Sequence, residues 1–323
     1  MIQPQAGIAT SRISTDDSVA DEHVFLIGRP PIGEFLGFVK NQTVDAHNAA
    51  VATLANQWRE ANDHIRELEA AEAGLADNPP IEEIDPSLRA MASELEADPI
   101  FKRSFEVLPT SLHVVELDRL IVYQKHINLA FVDKIKGQLG PKPTAEQIFR
   151  LCIPTDHPQP RIVMGPVANN AFVFSSPSTD LRFLDATLFK PDQVRGHKAG
   201  GPISGVVGLV VGFGSNFVNA VRVNGRLILN NGSHRAYALR DMGIKRVPCL
   251  IQHVSREEEI EAVGIADLQQ RRDVYLKAPR PPLLKDYFDA KLRQILLVPR
   301  HHRQIRVAFQ VENLNVPAGG TGP

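Results

Sequence analysis

The chain has few cysteines and no long apolar run. Its 323 residues include two cysteines, Cys152 and Cys249, and both stand among apolar neighbours. Because such thiols are usually buried, we expect no disulfide framework, and no spacing typical of metal ligands is present. The first twenty residues lack the apolar core of a secretory signal, and no run of about 18 apolar residues could span a membrane. These absences predict a cytoplasmic protein without a metal centre or a membrane segment.

The chain also lacks an excess of charge of one sign. It has 36 Lys and Arg residues against 37 Asp and Glu residues, which gives a net charge of −1. Proteins that bind specific DNA sequences usually carry a basic surface and a recognisable recognition motif. No compact helix-turn-helix pattern follows Val254. Specific DNA binding is therefore disfavoured.

The length and the 43% hydrophobic content predict about two domains. Helix starts precede the proline-rich stretch Pro154 to Pro160, and they are Asp85-Pro86, Asp98-Pro99 and the capping box of Thr144 and Gln147. Short β-rich runs begin at Arg161, and two closing strands are expected near Ile295–Val298 and Ile305–Val311. We expect an α+β protein with four parts: a flexible arm (1–22), a mostly helical region (23–153), a small mixed α/β domain with a C-terminal extension (160–312) and a flexible tail (313–323).

The longest helical pattern runs from Val44 to Leu75. Apolar residues recur there every seven positions, and Asn78-Pro79-Pro80 ends the pattern. Two interpretations fit a seam of about four heptads. The helix either packs inside its own domain or provides a surface for a second copy or another protein.

The segment Val221 to Gln252 carries the clearest functional pattern. Asn224-Gly225 predicts a hairpin between the strands Phe217 to Val223 and Arg226 to Leu229. Asn231-Gly232 then breaks the strand, Ser233 can cap a helix that ends at Gly243, and Val247 to Ile251 forms another strand. The start of that helix, with its unpaired N–H groups beside His234 and Arg235, predicts a phosphate-binding turn.

The same residues resemble the nucleotide-contacting motif of the ParB/sulfiredoxin superfamily. The resemblance rests on Asn-Gly-Ser-His-Arg, Ala-Tyr-Ala-Leu, Met-Gly and Val-Pro-Cys-Leu-Ile in this order, and on Leu181 to Val194, which is similar to the superfamily's opening strand. It covers about residues 180–253. It implies a small nucleotide-binding α/β domain whose phosphate-binding residues are Asn231, Gly232, Ser233, His234 and Arg235.

Within that superfamily the chain is most similar to the free serine kinases. Sulfiredoxins need a cysteine in the turn, and Ser233 stands at that position. The kinase branch has an acidic residue after a Lys-Pro pair, and here Lys190-Pro191 is followed by Asp192. The resemblance therefore implies Asp192 as general base and ATP or another nucleoside triphosphate, with magnesium, as cofactor. Asn231 replaces the acidic residue of the kinase turn.

Two functions follow from these observations. The first is nucleotide binding, with ATP-dependent phosphotransfer or nucleotide hydrolysis on an unknown substrate. The second is a non-catalytic assembly module that uses the N-terminal helices and a degenerate ParB-like domain. The glycine-rich stretch Gly196 to Asn216 fits close packing, a lid or an approach of the backbone to phosphate.

Overall fold

The computed structural model of the protein describes residues 20–44, 50–168, 170–194, 196, 200–263 and 266–315. Its strands are β1 (Ala20–Leu26), β2 (Ile81–Glu82), β3 (Thr110–Glu116), β4 (His126–Asn128), β5 (Val163–Ala168), β6 (Ala171–Ser176), β7 (Leu181–Phe189), β8 (Val206–Phe213), β9 (Asn219–Val223), β10 (Arg226–Asn231), β11 (Arg246–His253), β12 (Arg293–Pro299) and β13 (Arg303–Ala308). Its α-helices are α1 (Ile32–Gln42), α2 (Val51–Ala71), α3 (Arg89–Ala97), α4 (Pro99–Ser104), α5 (Leu129–Leu139), α6 (Ala145–Cys152), α7 (Ser233–Asp241) and α8 (Ala266–Gln270). The expected α+β class is confirmed.

The largest sheet has the strand order β10-β9-β11-β3-β2 and contains the predicted hairpin. Strands β9 and β10 are antiparallel, and the φ angles of Asn224 and Gly225 between them are 50° and 74°. Two positive φ angles are what a two-residue hairpin turn of type I′ requires, and Asn-Gly adopts them readily. Strand β11 runs parallel to β9 and antiparallel to β3. The predicted hairpin, helix and following strand are therefore confirmed.

Two separate units make up the structure. Unit 1 contains the described residues up to Thr155 together with Asn216–Arg300, and unit 2 contains Asp156–Ser215 and the described residues from His301 onwards. The chain leaves unit 1 at the proline-rich stretch, as the composition indicated. However, residues 160–312 do not form one continuous domain, because β9, β10 and β11 join β3 in the sheet of unit 1.

The N-terminal region contains more strand than its helix signals suggested. Strand β1 pairs along its whole length with β12 and also pairs with β4, and Ala20 lies opposite Pro299. Residues 20–22 of the stretch 1–22, which was expected to be a flexible arm, are therefore part of a paired strand. Residues 1–19 of that arm and 316–323 of the expected tail lie outside the described residues.

The apolar core of unit 1 joins the large sheet to α5, α6 and α7. It includes side chains from β3, β9, β10 and β11 and from the inner faces of those helices. The predicted helix caps are present: the Asp98 carboxylate accepts the N–H groups of Ile100 and Phe101 at 2.6 and 3.1 Å, and Thr144 forms its capping box with Gln147. These caps fix where α4 and α6 begin.

Helix α2 is packed inside unit 1, which supports the first interpretation of the heptad pattern. Its Leu54, Ala61 and Ile65 are buried in a cluster with side chains of β1 and α1. The helix begins only at Val51, which is exposed, and residues 45–49 of the predicted seam lie outside the described residues. Among the helices of the described part of the chain, none is both long and apolar enough to cross a membrane.

Unit 2 consists of a three-stranded sheet, β13-β6-β5, and the separate hairpin of β7 and β8. Both predicted closing strands are present, but β12 belongs to unit 1 and β13 to unit 2. The glycine-rich stretch Gly196 to Asn216, for which close packing was one of the expected roles, contains β8. Cβ atoms at Gly208 and Gly212 would collide with the side chains of Phe189 and Leu184 on β7, so these glycines make room for them.

Candidate ligand-binding site

The predicted phosphate-binding turn lies between β10 and α7. Asn231 is the last residue of β10, and Gly232 has a φ angle of 96°. A Cβ atom at Gly232 would lie 2.7 Å from Cγ2 of Val218, so both the backbone and the space require glycine. Gly232, and not Ser233, is the N-cap residue, and no side chain caps the helix. The first-turn N–H groups of α7 therefore have no capping side chain, and Asn231 to His234 are half-buried.

Arg235 points into unit 1. Its side chain is buried, and Nη1 donates hydrogen bonds to the main-chain carbonyls of Leu151, at 3.1 Å, and of Asn216. Leu151 is in the last turn of α6, where a helix leaves its carbonyl groups without partners. The guanidinium thus connects the end of α6 to the chain that enters β9. This role differs from the phosphate contact that the resemblance implied.

His234 is uncharged in this environment. The backbone N–H of Asn128 donates to its Nε2 at 3.0 Å, and the ring meets that of Phe131 edge to face. Burial and the neighbouring His126, His23 and Arg235 lower the pKa of His234 to about 4. Because Nε2 is the acceptor, the proton of the neutral ring is assigned to Nδ1. His234 can therefore donate one hydrogen bond without carrying charge.

Two further histidines lie beside the turn, and the sequence analysis did not identify them. His23 on β1 and His126 on β4 have their Nδ1 atoms 2.9 Å apart, so one donates to the other. Burial is the main cause that lowers the pKa of both, to about 4 for His126. We call His23, His126 and His234 the histidine cluster. The alternation His126-Ile127-Asn128 was an available signal, since it places two polar side chains on one face of a strand.

Polar partners surround the histidine cluster. Asp21 accepts hydrogen bonds from the side chains of Asn128, at 3.0 Å, and Arg300, at 2.7 Å. The Arg300 guanidinium is the main cause that holds the pKa of the Asp21 carboxyl below its usual value. Asn128 also caps α5 by accepting the N–H of Phe131. The N-termini of α5 and α7 therefore meet beside the histidine cluster.

Asp192, the expected general base, lies in unit 2. It is exposed, in the short 3-10 helix Pro191–Gln193 that follows β7. Strand β7 was expected to open the nucleotide-binding domain, but it pairs with β8, and the strands that pair with β11 are β3 and β9. The turn and Asp192 therefore belong to different units, and the structure does not bring them together in one sheet.

The described residues do not suggest a metal centre. Among them, no three His, Cys, Asp or Glu side chains are grouped so that they could hold a metal ion. Cys152 and Cys249 are buried free thiols, as expected, and burial raises the pKa of both. Neither is a reactive thiolate.

Comparison of the chain with protein-family models, with curated proteins and with solved structures finds no match. The local geometry of the turn is therefore the basis for a functional assignment.

Proposed function

We propose that the protein binds a phosphate-bearing ligand, a nucleoside triphosphate, at the N-terminus of α7. The observation that carries the proposal is the uncapped start of this helix at Gly232, where Asn231, Ser233 and His234 are only half-buried. Backbone N–H groups and the positive end of the helix dipole favour an anion at such a position. The order of turn, helix and strand that resembles the ParB/sulfiredoxin superfamily supports a nucleotide as the ligand.

The residues of the turn have different roles in this proposal. Ser233 and Asn231 contribute side-chain hydrogen bonds, and the neutral His234 donates from Nδ1. Arg235 supports the turn from inside unit 1. By donating to the carbonyls of Leu151 and Asn216, it fixes the direction in which α7 leaves the turn. A magnesium ion would arrive with the nucleotide, coordinated mainly by its phosphates.

The proposal concerns binding and not phosphotransfer. Asp192 belongs to unit 2 and follows a strand that does not pair with the sheet of the turn. Its role as general base stays a prediction of the resemblance. Turnover measurements on Asp192→Asn test that role separately, because this exposed residue is distant in sequence from the turn and its replacement should leave nucleotide affinity unchanged.

A charge placed at the first residue of α7 tests the site. Ser233→Asp adds a negative charge where the dipole favours one, so it should stabilise the folded protein by about 0.3–1 kcal/mol. The same charge repels phosphate, so affinity for the nucleotide should fall about tenfold or more. Ser233→Asn is the matched control, since it is similar in shape and neutral. Affinity is measured by calorimetry with ATP, CTP and ADP, each with magnesium.

Two results would contradict the proposal. One is that the folded wild-type protein binds none of these nucleotides. The other is that Ser233→Asp and Ser233→Asn bind equally well, because ligand phosphates would then lie elsewhere.

An assembly function is the second candidate, and exposed apolar side chains in unit 2 favour it. Helix α2 is a weaker candidate for this role, because its Leu54, Ala61 and Ile65 are already buried within unit 1.

A further inference from the structure

Unit 2 exposes much of its apolar surface. Of the nineteen large apolar side chains that are exposed in the described part of the chain, thirteen belong to unit 2. Among the apolar residues described in that unit, only Ala171 and Leu181 are buried. Exposed apolar surface concentrated in this way is typical of an interaction site.

The edge strands of unit 2 differ in how well they are protected against pairing with another strand. Natural sheets protect such edges with proline or with charged residues. Edge strand β5 contains Pro166, and β13 contains Arg303 and Arg306. In the hairpin, β7 contains Arg182 and Asp185. Strand β8 reads VVGLVVGF and has neither a charge nor a proline. It is therefore the one unprotected edge among these four described strands.

The hairpin also has room for a further strand. It is a two-stranded sheet in the described structure, and an isolated hairpin is at best marginally stable in water. The open edge of β8 presents backbone N–H and C=O groups along eight residues. Only another extended strand can pair with such a row. A nucleic acid is a poor partner, because β8 carries no cation.

We propose that β8 pairs antiparallel with β8 of a second copy of this chain, which gives a four-stranded sheet with the order β7-β8-β8-β7. Two identical antiparallel strands are related by a twofold axis and form a closed dimer. Because β8 is uncharged, no like charges oppose each other across the axis. The exposed Val207 and Leu209 lie on one face of β8, and pairing extends that apolar face across both copies. This dimer is independent of nucleotide binding, which takes place in unit 1.

Two variants at directly opposed positions of β7 and β8 test the proposal. Leu209 is near the middle of β8 and lies opposite Ala186 of β7, and both residues are exposed. Leu209→Lys places like charges close to the twofold axis, so the dimer dissociation constant should rise about tenfold or more. Ala186→Lys adds the same charge one strand further from the axis and should leave the dimer intact. Analytical ultracentrifugation of the full chain over a range of concentrations measures the association.

Cysteine cross-linking gives a second measurement that does not depend on weakening the dimer. Cys152 and Cys249 are buried, so an introduced surface cysteine is the reactive one. Leu209→Cys or Val210→Cys should form an intermolecular disulfide under mild oxidation, whereas Ala186→Cys should not. Circular dichroism confirms that each variant is folded. A wild-type protein that is monomeric at all concentrations overturns the proposal, as does equal weakening by Leu209→Lys and Ala186→Lys, which would indicate association through the face of the sheet.

Discussion

Acidification should destabilise the protein well before its carboxylates are protonated, because the fold holds the histidine cluster in its neutral form. The pKa of His126 and that of His234 fall from 6.5 to about 4, chiefly through burial. Between these values the unfolded chain binds more protons than the folded protein does. The stability that depends on the neutral histidines is therefore fully present above about pH 6.5, and it decreases as the pH falls towards 4.

The size of the effect follows from these pKa values. A difference of one unit in pKa between the folded and the unfolded state corresponds to about 1.4 kcal/mol. Each of the two histidines should therefore reduce the free energy of unfolding by about 2 kcal/mol between pH 7 and pH 5. Together they give about 3 to 4 kcal/mol, a large part of the 5 to 15 kcal/mol typical of a folded protein. His64 acts in the opposite direction, since hydrogen bonds with Glu67 and Asp289 raise its pKa.

His126→Phe identifies the source of the pH dependence. The ring of His126 lies 4.9 Å from that of Phe38 and 6.3 Å from that of Phe25, centroid to centroid, so an aromatic replacement suits its surroundings and removes the proton-binding group. Unfolding by urea is followed at pH 7, 6 and 5, and the variant should lose about half of the decrease seen for the wild type. His301→Phe, at an exposed position, is the control. Equal wild-type stability at pH 7 and 5, or an undiminished decrease in His126→Phe, would refute the reasoning.

The turn gives two further predictions. Arg235→Ala should lower the free energy of unfolding by about 3 to 5 kcal/mol, because it removes a buried side chain together with its two charge-assisted hydrogen bonds. An unchanged urea midpoint would show that the contacts with α6 and with the chain entering β9 contribute little. Gly232→Ala should lower the melting temperature more than Gly243→Ala does: both φ angles are positive, at 96° and 83°, but only at position 232 does the new Cβ meet another side chain, that of Val218. Equal melting temperatures for these two variants would mean that the Val218 side chain moves aside at little cost in stability.

Features that depend on neighbouring residues were predictable from the sequence. The Asn224-Gly225 turn, the helix after Gly232 and its end at Gly243 all follow from backbone preferences within a few residues. The capping box of Thr144 is of the same kind. The positions of the turn and of the following helix in the chain were therefore predicted correctly.

The direction of the side chains in the site was not predictable in the same way. A helix start with an arginine is compatible with phosphate binding and with an internal role. The choice depends on the carbonyl of Leu151, which is 84 positions away from Arg235 in the sequence. The pairing of His23 with His126 spans 103 positions. A short motif contains no information about such partners, so the histidine cluster and the inward arginine became visible only in the fold.

The pairing of whole strands was likewise not predictable from the sequence. Leu181 to Val194 has the alternation and the Pro191 turn of an opening strand, and it does form a strand, β7. Strand propensity, however, reports suitability for a half-buried pleated surface and not the identity of the partner strand. The central sheet instead takes β3, whose Val115 lies opposite Val247 of β11 and is fully buried. Strand β7 remains in unit 2 with β8, whose glycines accommodate its side chains, and most of the large apolar residues of the two strands are left exposed or half-exposed on a hairpin with an open edge.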